Sequence, residues 1–179
     1  IAANSSLLFL GPPGVGKTTL LRACAETLAE SRSTVIIDPT GEIAGCGDAS
    51  HPAVGRAWKD MAFSNSKLDR SEARRLAMGR ALENMGPQVL VVDEIGTVGE
   101  AKAARAIGER GVQLIATAHG KTLRDLLGNG ELRDLVGGLR QATLGDDNPR
   151  YKVGKRKTVS ERAAAPVFAV LVEIRSPSC

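Results

Sequence analysis

Short apolar segments alternate along the chain with longer segments in which apolar residues recur every three or four positions. The short segments are typical of buried strands, and the longer ones of helices with one apolar face. This alternation favours a parallel β-sheet covered by helices, an α/β fold. Strands are predicted at 6–10, 34–38, 88–93, 112–118 and 139–144. Helices are predicted at 17–30, 69–85 and 99–110, with shorter ones at 121–127 and 131–136.

The last part of the chain contains two more strand-like segments, at 152–159 and 167–174. The basic residues Lys155, Arg156 and Lys157 are predicted to form a turn region there. The spacing of the two segments predicts a terminal β-hairpin or a pair of edge strands.

The length of 179 residues is enough for one α/β domain that buries its own core. We therefore assign a single domain to 1–179, with 151–175 as a terminal β extension. The segment 39–67 is predicted to be a long polar loop, and loops of that length are usually functional or partly disordered.

Residues 11–19 read GPPGVGKTT, and they follow a predicted strand and precede a predicted helix. The run matches the phosphate-loop pattern G-x-x-x-x-G-K-[ST] in the context that the pattern requires. Glycines let successive N–H groups point at phosphate oxygens, Lys17 reaches the β- and γ-phosphates, and the Thr18 hydroxyl ligates Mg²⁺. The alternative is a Gly/Pro-rich turn before an ordinary helix. The expected nucleotide contacts are Gly11, Pro12, Pro13, Gly14, Val15, Gly16, Lys17, Thr18 and Thr19.

Two carboxylates, Asp93 and Glu94, follow the apolar run 89–92. Ligands of parallel sheets bind at the carboxyl ends of the strands. Asp93 is expected to hold Mg²⁺, directly or through water, and Glu94 to polarise the attacking water as general base. The alternative is a charged turn after a buried strand.

The strand predicted at 112–118 also ends in polar groups. Thr117 or His119 is expected to lie between the two carboxylates and the γ-phosphate as a sensor of hydrolysis. The alternative for His119 is a loop histidine bonded to the backbone. After the second strand, Asp38 lies on the same edge, and Glu42 orients water or contacts a neighbouring subunit, unless this segment is a plain turn.

Charge and composition narrow the function only slightly. The net charge is +4 and the pI about 9.2, which permits nucleic-acid binding, but only 3% of residues are aromatic. No apolar run is long enough to span a bilayer, so membrane insertion is not expected. The three cysteines form no C-x-x-C pair, which favours a reducing intracellular compartment and argues against a zinc site.

Several segments occur in an order that resembles one family, the plastid and cyanobacterial P-loop ATPases related to stage III sporulation protein AA. The resemblance covers nearly the whole chain. The phosphate loop is generic, whereas the blocks GERGVQLIATAHG and LVGGLRQATLGD are more specific. The segments are GPPGVGKTTLLR, DPTGEIAG, HPAVGRA, VLVVDEIGT, EAKAARAIGERGVQLIATAHG, LRDLVGGLRQATLGDD and KTVSERAAAPVFAVLVEI.

The resemblance implies a P-loop NTPase fold of the additional-strand class, with AAA+ and secretion-type ATPases as relatives. It implies a sheet of order 5-1-4-3-2, with one strand inserted between those that carry the phosphate loop and the paired carboxylates. It also favours Glu42 as a second catalytic carboxylate. Members often carry a small Arg-x-x-x-His nucleic-acid-binding domain after the ATPase domain.

Relatives act as rings, commonly hexamers, so the resemblance implies a homo-oligomer. In a ring, an arginine of one subunit stabilises the γ-phosphate bound to the next. Arg140 is the first candidate because it lies by the predicted fifth strand. The alternative for each arginine is a solvated surface residue. The other candidates are Arg105, Arg110 and Arg133.

The leading functional hypothesis is an ATP- and Mg²⁺-dependent motor on single-stranded nucleic acid, with DNA favoured over RNA. No guanine-reading N-K-x-D motif occurs, which favours ATP. The candidate strand contacts are Lys121, Arg124, Lys155, Arg156 and Lys157. The alternatives are an assembly or secretion-type ATPase that drives a protein complex, a nucleotide-gated scaffold and a small-molecule kinase. The expected location is the plastid stroma, another organelle or the cyanobacterial cytoplasm.

Overall fold

The computed structural model describes residues 5–46, 49–61, 67–143 and 158–175. Within them, strands and helices alternate as the hydrophobic pattern predicts. The strands are β1 (Leu7–Leu10), β2 (Thr34–Ile37), β3 (Trp58–Asp60), β4 (Val89–Ile95), β5 (Gln113–Ala118), β6 (Leu139–Thr143), β7 (Thr158–Arg162) and β8 (Val170–Glu173). The helices are α1 (Lys17–Ala29), α2 (Arg70–Asn84), α3 (Val98–Glu109) and α4 (Leu123–Gly128), with 3₁₀ turns at Pro52–Val54 and Arg133–Val136.

Six strands form one parallel sheet in the order β3-β2-β4-β5-β1-β8. Strand β5 lies between β1 and β4, so the predicted insertion of a strand between the phosphate-loop strand and the carboxylate strand is confirmed. All parallel strands present their carboxyl ends at one edge, where the loops after β1, β4 and β5 meet. The α/β fold is therefore confirmed.

The core consists of two apolar layers, one on each face of the sheet. Alternate residues of β1 enter different layers, Leu8 and Leu10 on one face, Leu7 and Phe9 on the other. This is the period-two consequence of an extended strand that is buried on both faces. Helices α2 and α3 cover the first face and α1 covers the second.

The fifth strand of the sheet is not the predicted one. Segment 139–144 is absent from the main sheet as far as it is described, and β8 pairs with β1 in its place. The side chains of β6 are mostly exposed, and their sequence LRQAT is too polar for a strand buried on both faces. Strand β8 reads VLVE, and Val170 and Val172 pack on the core beside β1.

The predicted terminal hairpin between 152–159 and 167–174 is also wrong. Strand β7 pairs antiparallel with β6 to form a separate two-stranded ribbon, and β8 joins the main sheet. The basic stretch Lys155, Arg156 and Lys157 lies outside the described residues, as does 151–157 of the predicted extension.

Two smaller predictions need correction. The segment predicted as a loop at 39–67 contains the 3₁₀ turn Pro52–Val54 and the edge strand β3, which is only three residues long. The short helix predicted at 131–136 is a 3₁₀ turn over Arg133–Val136.

No helix in the described part of the chain is long and apolar enough to cross a membrane.

Replacing Gly137 with Ala is expected to destabilise the fold by about 1–3 kcal/mol. Gly137 has φ +97°, and a Cβ there meets the carbonyl oxygen of Ala164 and lies 2.7 Å from Arg162 Cδ. Gly130→Ala is the matched control, because its Cβ meets nothing within 4 Å and its φ is not positive. Denaturant unfolding of both variants tests this. Equal midpoints for the two would show that the contact between Gly137 and the 162–164 segment does not matter.

Candidate nucleotide-binding site

The loop between β1 and α1 has the backbone that its glycines predict. Gly14 and Gly16 have φ of +79° and +92°, and a Cβ on either meets nothing within 4 Å, so conformation and not space requires glycine there. Gly11 is different, because its Cβ would lie 2.6 Å from the carbonyl oxygen of Ile174 at the end of β8. The residue that follows β8 therefore packs directly against the start of this loop.

The loop curls around the ammonium group of Lys17. Lys17 Nζ donates to the carbonyl oxygens of Gly11 at 2.8 Å and of Pro12 at 2.9 Å. A second contact fixes the start of the loop, where the Gly11 N–H donates to the Gly120 carbonyl at 3.1 Å. The positive charge is thus held at the mouth of the loop and at the amino end of α1.

Thr18 and Asp93 meet at the carboxyl edge of the sheet, although 75 positions separate them. The Thr18 hydroxyl donates to Asp93 Oδ2 at 2.9 Å. A hydroxyl and a carboxylate are the hard oxygen donors that suit Mg²⁺, which usually takes few protein ligands and keeps water and phosphate oxygens. The described residues contain no cluster of three or more His, Cys, Asp or Glu placed for a metal. The pair therefore fits a magnesium ion shared with a phosphate.

Glu94 lies beside Asp93 in the same cleft, although adjacent residues of a regular strand face opposite sides. The register of β4 against β5 shifts between Val92 and Ile95, and Glu94 has φ 62°. This bulge turns the second carboxylate towards the cleft. Its Oε1 lies 2.9 Å from His119 Nε2.

Thr117 links the two carboxylates. Its hydroxyl donates to Asp93 Oδ1 and accepts the Glu94 N–H at 2.7 Å. The side chain is almost fully buried, whereas His119 is 60% exposed. The structure thus brings both predicted sensor residues to the carboxylates, Thr117 between them and His119 against Glu94. Their role in sensing hydrolysis stays a prediction.

The two acidic residues after β2 differ in their surroundings. Asp38 is buried and its carboxylate accepts the N–H groups of Glu42, Ile43 and Ala44 at 2.7–3.0 Å. It therefore shapes the turn. Glu42 lines the cleft, with its carboxylate 53% exposed and 3.5 Å from Arg70. Its catalytic role stays a prediction.

These groups line one cleft of about 820 Å³ at the carboxyl edge of the sheet. Lys121 and Asp125 extend it beyond His119. The remaining predicted contacts, Pro12, Gly14, Val15, Gly16 and Thr19, lie in the loop and in the first turn of α1. The lining residues are Gly11, Pro13, Lys17, Thr18, Glu42, Asp93, Glu94, Thr117, Ala118, His119, Gly120, Lys121 and Asp125.

None of the four candidate arginines lines this cleft of the described chain. Arg140 pairs with Glu161 across the β6–β7 ribbon, with 2.8 Å between Nε and Oε1. Arg105 donates to the carbonyl oxygens of Asp134 and Ala165. Arg110 follows helix α3, and Arg133 begins the 3₁₀ turn Arg133–Val136. Whether any of them acts on a neighbouring subunit stays a prediction.

Thr117→Val is expected to lower the rate of any reaction in this cleft by about tenfold or more, and stability by about 1–3 kcal/mol. Valine keeps the shape but leaves the Glu94 N–H without its acceptor and frees Asp93. Thr34→Val is the control, because Thr34 is equally buried in β2 and its hydroxyl donates to Arg32 O within its own turn. Parallel measurement of turnover and unfolding tests this. Equal turnover and equal unfolding midpoints for the two variants would show that Thr117 has no special role in the site.

Comparison with known proteins agrees with this architecture. A protein named ycf45 from Porphyra purpurea is 47% identical over 96% of the chain and 29% of its own length. Protein SEEDLING PLASTID DEVELOPMENT 1 from Arabidopsis thaliana is 43% identical over 98% of the chain and 25% of its own length. The chain therefore spans about a quarter to a third of these relatives. Stage III sporulation protein AA from Bacillus subtilis is 33% identical over 72% of the chain and 41% of its own length.

Among solved structures, the X-ray structure of the Legionella pneumophila ATPase DotB superposes with a TM-score of 0.51 over 89% of the chain and 44% of DotB. At 16% identity this likeness shows the fold alone. Residues 2–144 match the model of the family described as sporulation stage III, protein AA, and the chain belongs to that family.

Proposed function

We propose that the chain is an ATPase that hydrolyses ATP in the cleft at the carboxyl edge of the sheet. The observation that carries this proposal is the convergence of three parts from distant positions, namely Lys17, the Thr18–Asp93 pair and Glu94. An ordinary Gly/Pro-rich turn has no need to curl around an ammonium group beside two carboxylates. The fold of the ATPase DotB supports the same conclusion.

Each residue has one task in the proposed reaction. The loop N–H groups and Lys17 bind and orient the phosphates, and their positive charge favours the charge that develops on the transferred group. Thr18 and Asp93 would hold Mg²⁺, which would supply positive charge against the phosphates. Glu94 accepts a proton from the attacking water, whose oxygen bonds to the γ-phosphorus while the bond to the β–γ bridging oxygen breaks. ADP and inorganic phosphate leave.

For the whole protein we propose an oligomeric motor, a hexameric ring of the AAA+ and secretion-ATPase class that acts on single-stranded nucleic acid, with DNA favoured over RNA. The net charge of +4 and the exposed Lys121 and Arg124 beside the cleft support an anionic partner. Arg140 remains the first candidate to act on a neighbouring subunit. A plastid location rests on the 43% identity to a protein named for plastid development, and another organelle or a cyanobacterial cytoplasm is the alternative.

A second candidate is an ATPase that drives the assembly of a protein complex. It is favoured by the 33% identity to a protein named for a stage of sporulation. A nucleotide-gated scaffold is disfavoured by Glu94, because a protein that only binds ATP does not need a general base.

The experiment measures phosphate release by the purified chain with Mg²⁺-ATP, with and without single-stranded DNA or RNA, at about 50 and 200 mM salt. The motor hypothesis predicts turnover that rises with the strand and loses this stimulation at the higher salt, because bound cations release counterions from phosphates. Turnover that neither nucleic acid changes would favour an assembly ATPase over a nucleic-acid motor. Absence of turnover under every condition would contradict the proposed function itself.

A further inference from the structure

We propose that Arg74 and Glu100 form a buried positioning pair that holds the backbone of Glu94 in its left-handed conformation and thereby aims its carboxylate into the cleft. The inference rests on the proposed function, because it assigns a role to residues that do not touch the nucleotide site. Sequence reasoning missed both residues. The only signal is the Thr97-x-x-Glu100 spacing, which is typical of a helix capping box.

The conformation of Glu94 needs an explanation. Among the described residues it is the only one other than glycine with a positive φ, at 62°. Residues with a Cβ avoid this region because of a clash with the neighbouring carbonyl, and they persist in it only where the surroundings hold them. Such strain occurs preferentially at functional sites.

Hydrogen bonds hold the Glu94 backbone from both sides. The Glu94 N–H donates to Thr117 Oγ1 at 2.7 Å, from β5. The Glu94 carbonyl accepts from Arg74 Nη1 at 2.9 Å, from α2. The residue is thus fixed between a neighbouring strand and a covering helix.

Arg74 is itself held by Glu100 from α3. Arg74 Nη1 lies 2.6 Å from Glu100 Oε1, and the two side chains are 10% and 0% exposed. The other carboxylate oxygen of Glu100 accepts the N–H groups of Gly96 and Thr97 at 2.9 and 3.0 Å. Glu100 therefore holds the turn at Gly96 and Thr97, and Arg74 connects Glu100 to the Glu94 carbonyl.

A buried ion pair is weak evidence for stability, because the desolvation of two charges offsets much of their attraction. Its specific geometric effect is the better explanation here. Both contacts come from the same nitrogen, Nη1, whose two N–H groups are fixed in the guanidinium plane, so Arg74 can bond the Glu94 carbonyl and Glu100 together. Without that bond, Glu94 is free to return to the extended conformation of a regular strand, in which its side chain faces away from that of Asp93.

The test is Arg74→Lys, which keeps a positive charge beside Glu100, but its ammonium is one bond closer to the backbone than Arg74 Nη1 and lacks the planar pair of N–H groups. We expect kcat for ATP hydrolysis to fall about ten- to hundredfold, as for small misplacements of a catalytic group, with KM unchanged within about twofold. Arg80→Lys is the matched control. It lies on the same helix, and Arg80 pairs with the buried Asp60 at 2.9 Å, outside the cleft. It is expected to leave kcat unchanged.

Two further measurements separate positioning from general damage. In a Glu94→Gln background, Arg74→Lys is expected to have no additional effect on the residual rate, because the group that it positions is gone. Hydrogen exchange of the Glu94 N–H is expected to rise at least about tenfold in Arg74→Lys, because Arg74 holds the carbonyl of the same residue, and exchange in β2 is expected to stay unchanged.

The outcomes distinguish the inference from the proposed function. Unchanged exchange, or faster exchange with an unchanged kcat, would overturn the positioning role. Equal losses in the Arg74 and Arg80 variants, or a full further loss in the Glu94→Gln background, would also overturn it and indicate a structural effect. A wild-type chain without any turnover would overturn the proposed function and the catalytic half of the inference. The exchange measurement would then still decide whether the pair holds the turn.

Discussion

Replacing Glu94 with Gln is expected to lower kcat for ATP hydrolysis by about 10²–10⁴-fold while ATP binding stays nearly unchanged. The amide is close to the carboxylate in shape but cannot accept the proton of the attacking water. Glu94 is the carboxylate that the bulge turns towards the cleft, next to the Thr18–Asp93 pair and 2.9 Å from His119. The measurement is steady-state phosphate release, with nucleotide affinity determined in parallel.

Two comparison variants make this result specific. Glu109→Gln removes an exposed carboxylate at the end of α3, away from the cleft, and is expected to have no effect. Glu42→Gln tests the second carboxylate of the cleft, which is expected to matter less because it is half exposed and contacts Arg70. A larger loss for Glu42→Gln than for Glu94→Gln would reverse the assignment of the general base.

Lys17→Ala is expected to lower kcat/KM for ATP by about 10²–10³-fold. The substitution removes the charge that the loop surrounds, since Lys17 Nζ is held by the carbonyl oxygens of Gly11 and Pro12. Unlike Glu94→Gln, it is expected to weaken binding as well as turnover, because the ammonium attracts the phosphates before and during reaction. Lys102→Ala, an exposed lysine on α3, is the control.

The loss of two hydrogen bonds in Lys17→Ala is expected to cost about 1–2 kcal/mol of stability, which a folded chain tolerates. Circular dichroism and the unfolding midpoint therefore belong with the kinetic measurement. Retention of ATP affinity and turnover in a folded Lys17→Ala variant would show that the glycine-rich segment is an ordinary turn.

Much of the site could be predicted from sequence because its parts are local. A phosphate loop needs only its own residues and the flanking β1 and α1, and strands that are buried on both faces are recognisable by continuous apolar runs. Asp93 and Thr117 end two such strands. Because parallel strands end at one edge, their proximity follows from the fold.

The parts of the fold and of the site that the sequence did not predict depend on contacts between distant segments. Strands β6 and β8 are both short, and they differ mainly in how much burial their side chains allow. The exposed face of LRQAT suits a two-stranded ribbon, whereas VLVE suits the sheet. The three-residue β3 gives no periodic signal. The conformation of Glu94 was equally hidden, because Arg74 and Glu100 lie on other elements.

Phosphate release from ATP by the purified chain, without nucleic acid, tests directly whether this cleft hydrolyses ATP. Hydrolysis in this cleft predicts turnover that requires Mg²⁺, disappears with a chelator, and falls close to the level of the blank in both Lys17→Ala and Glu94→Gln. Turnover of the same size in the wild type and in both variants would exclude hydrolysis in this cleft, because the phosphate release would then come from another source.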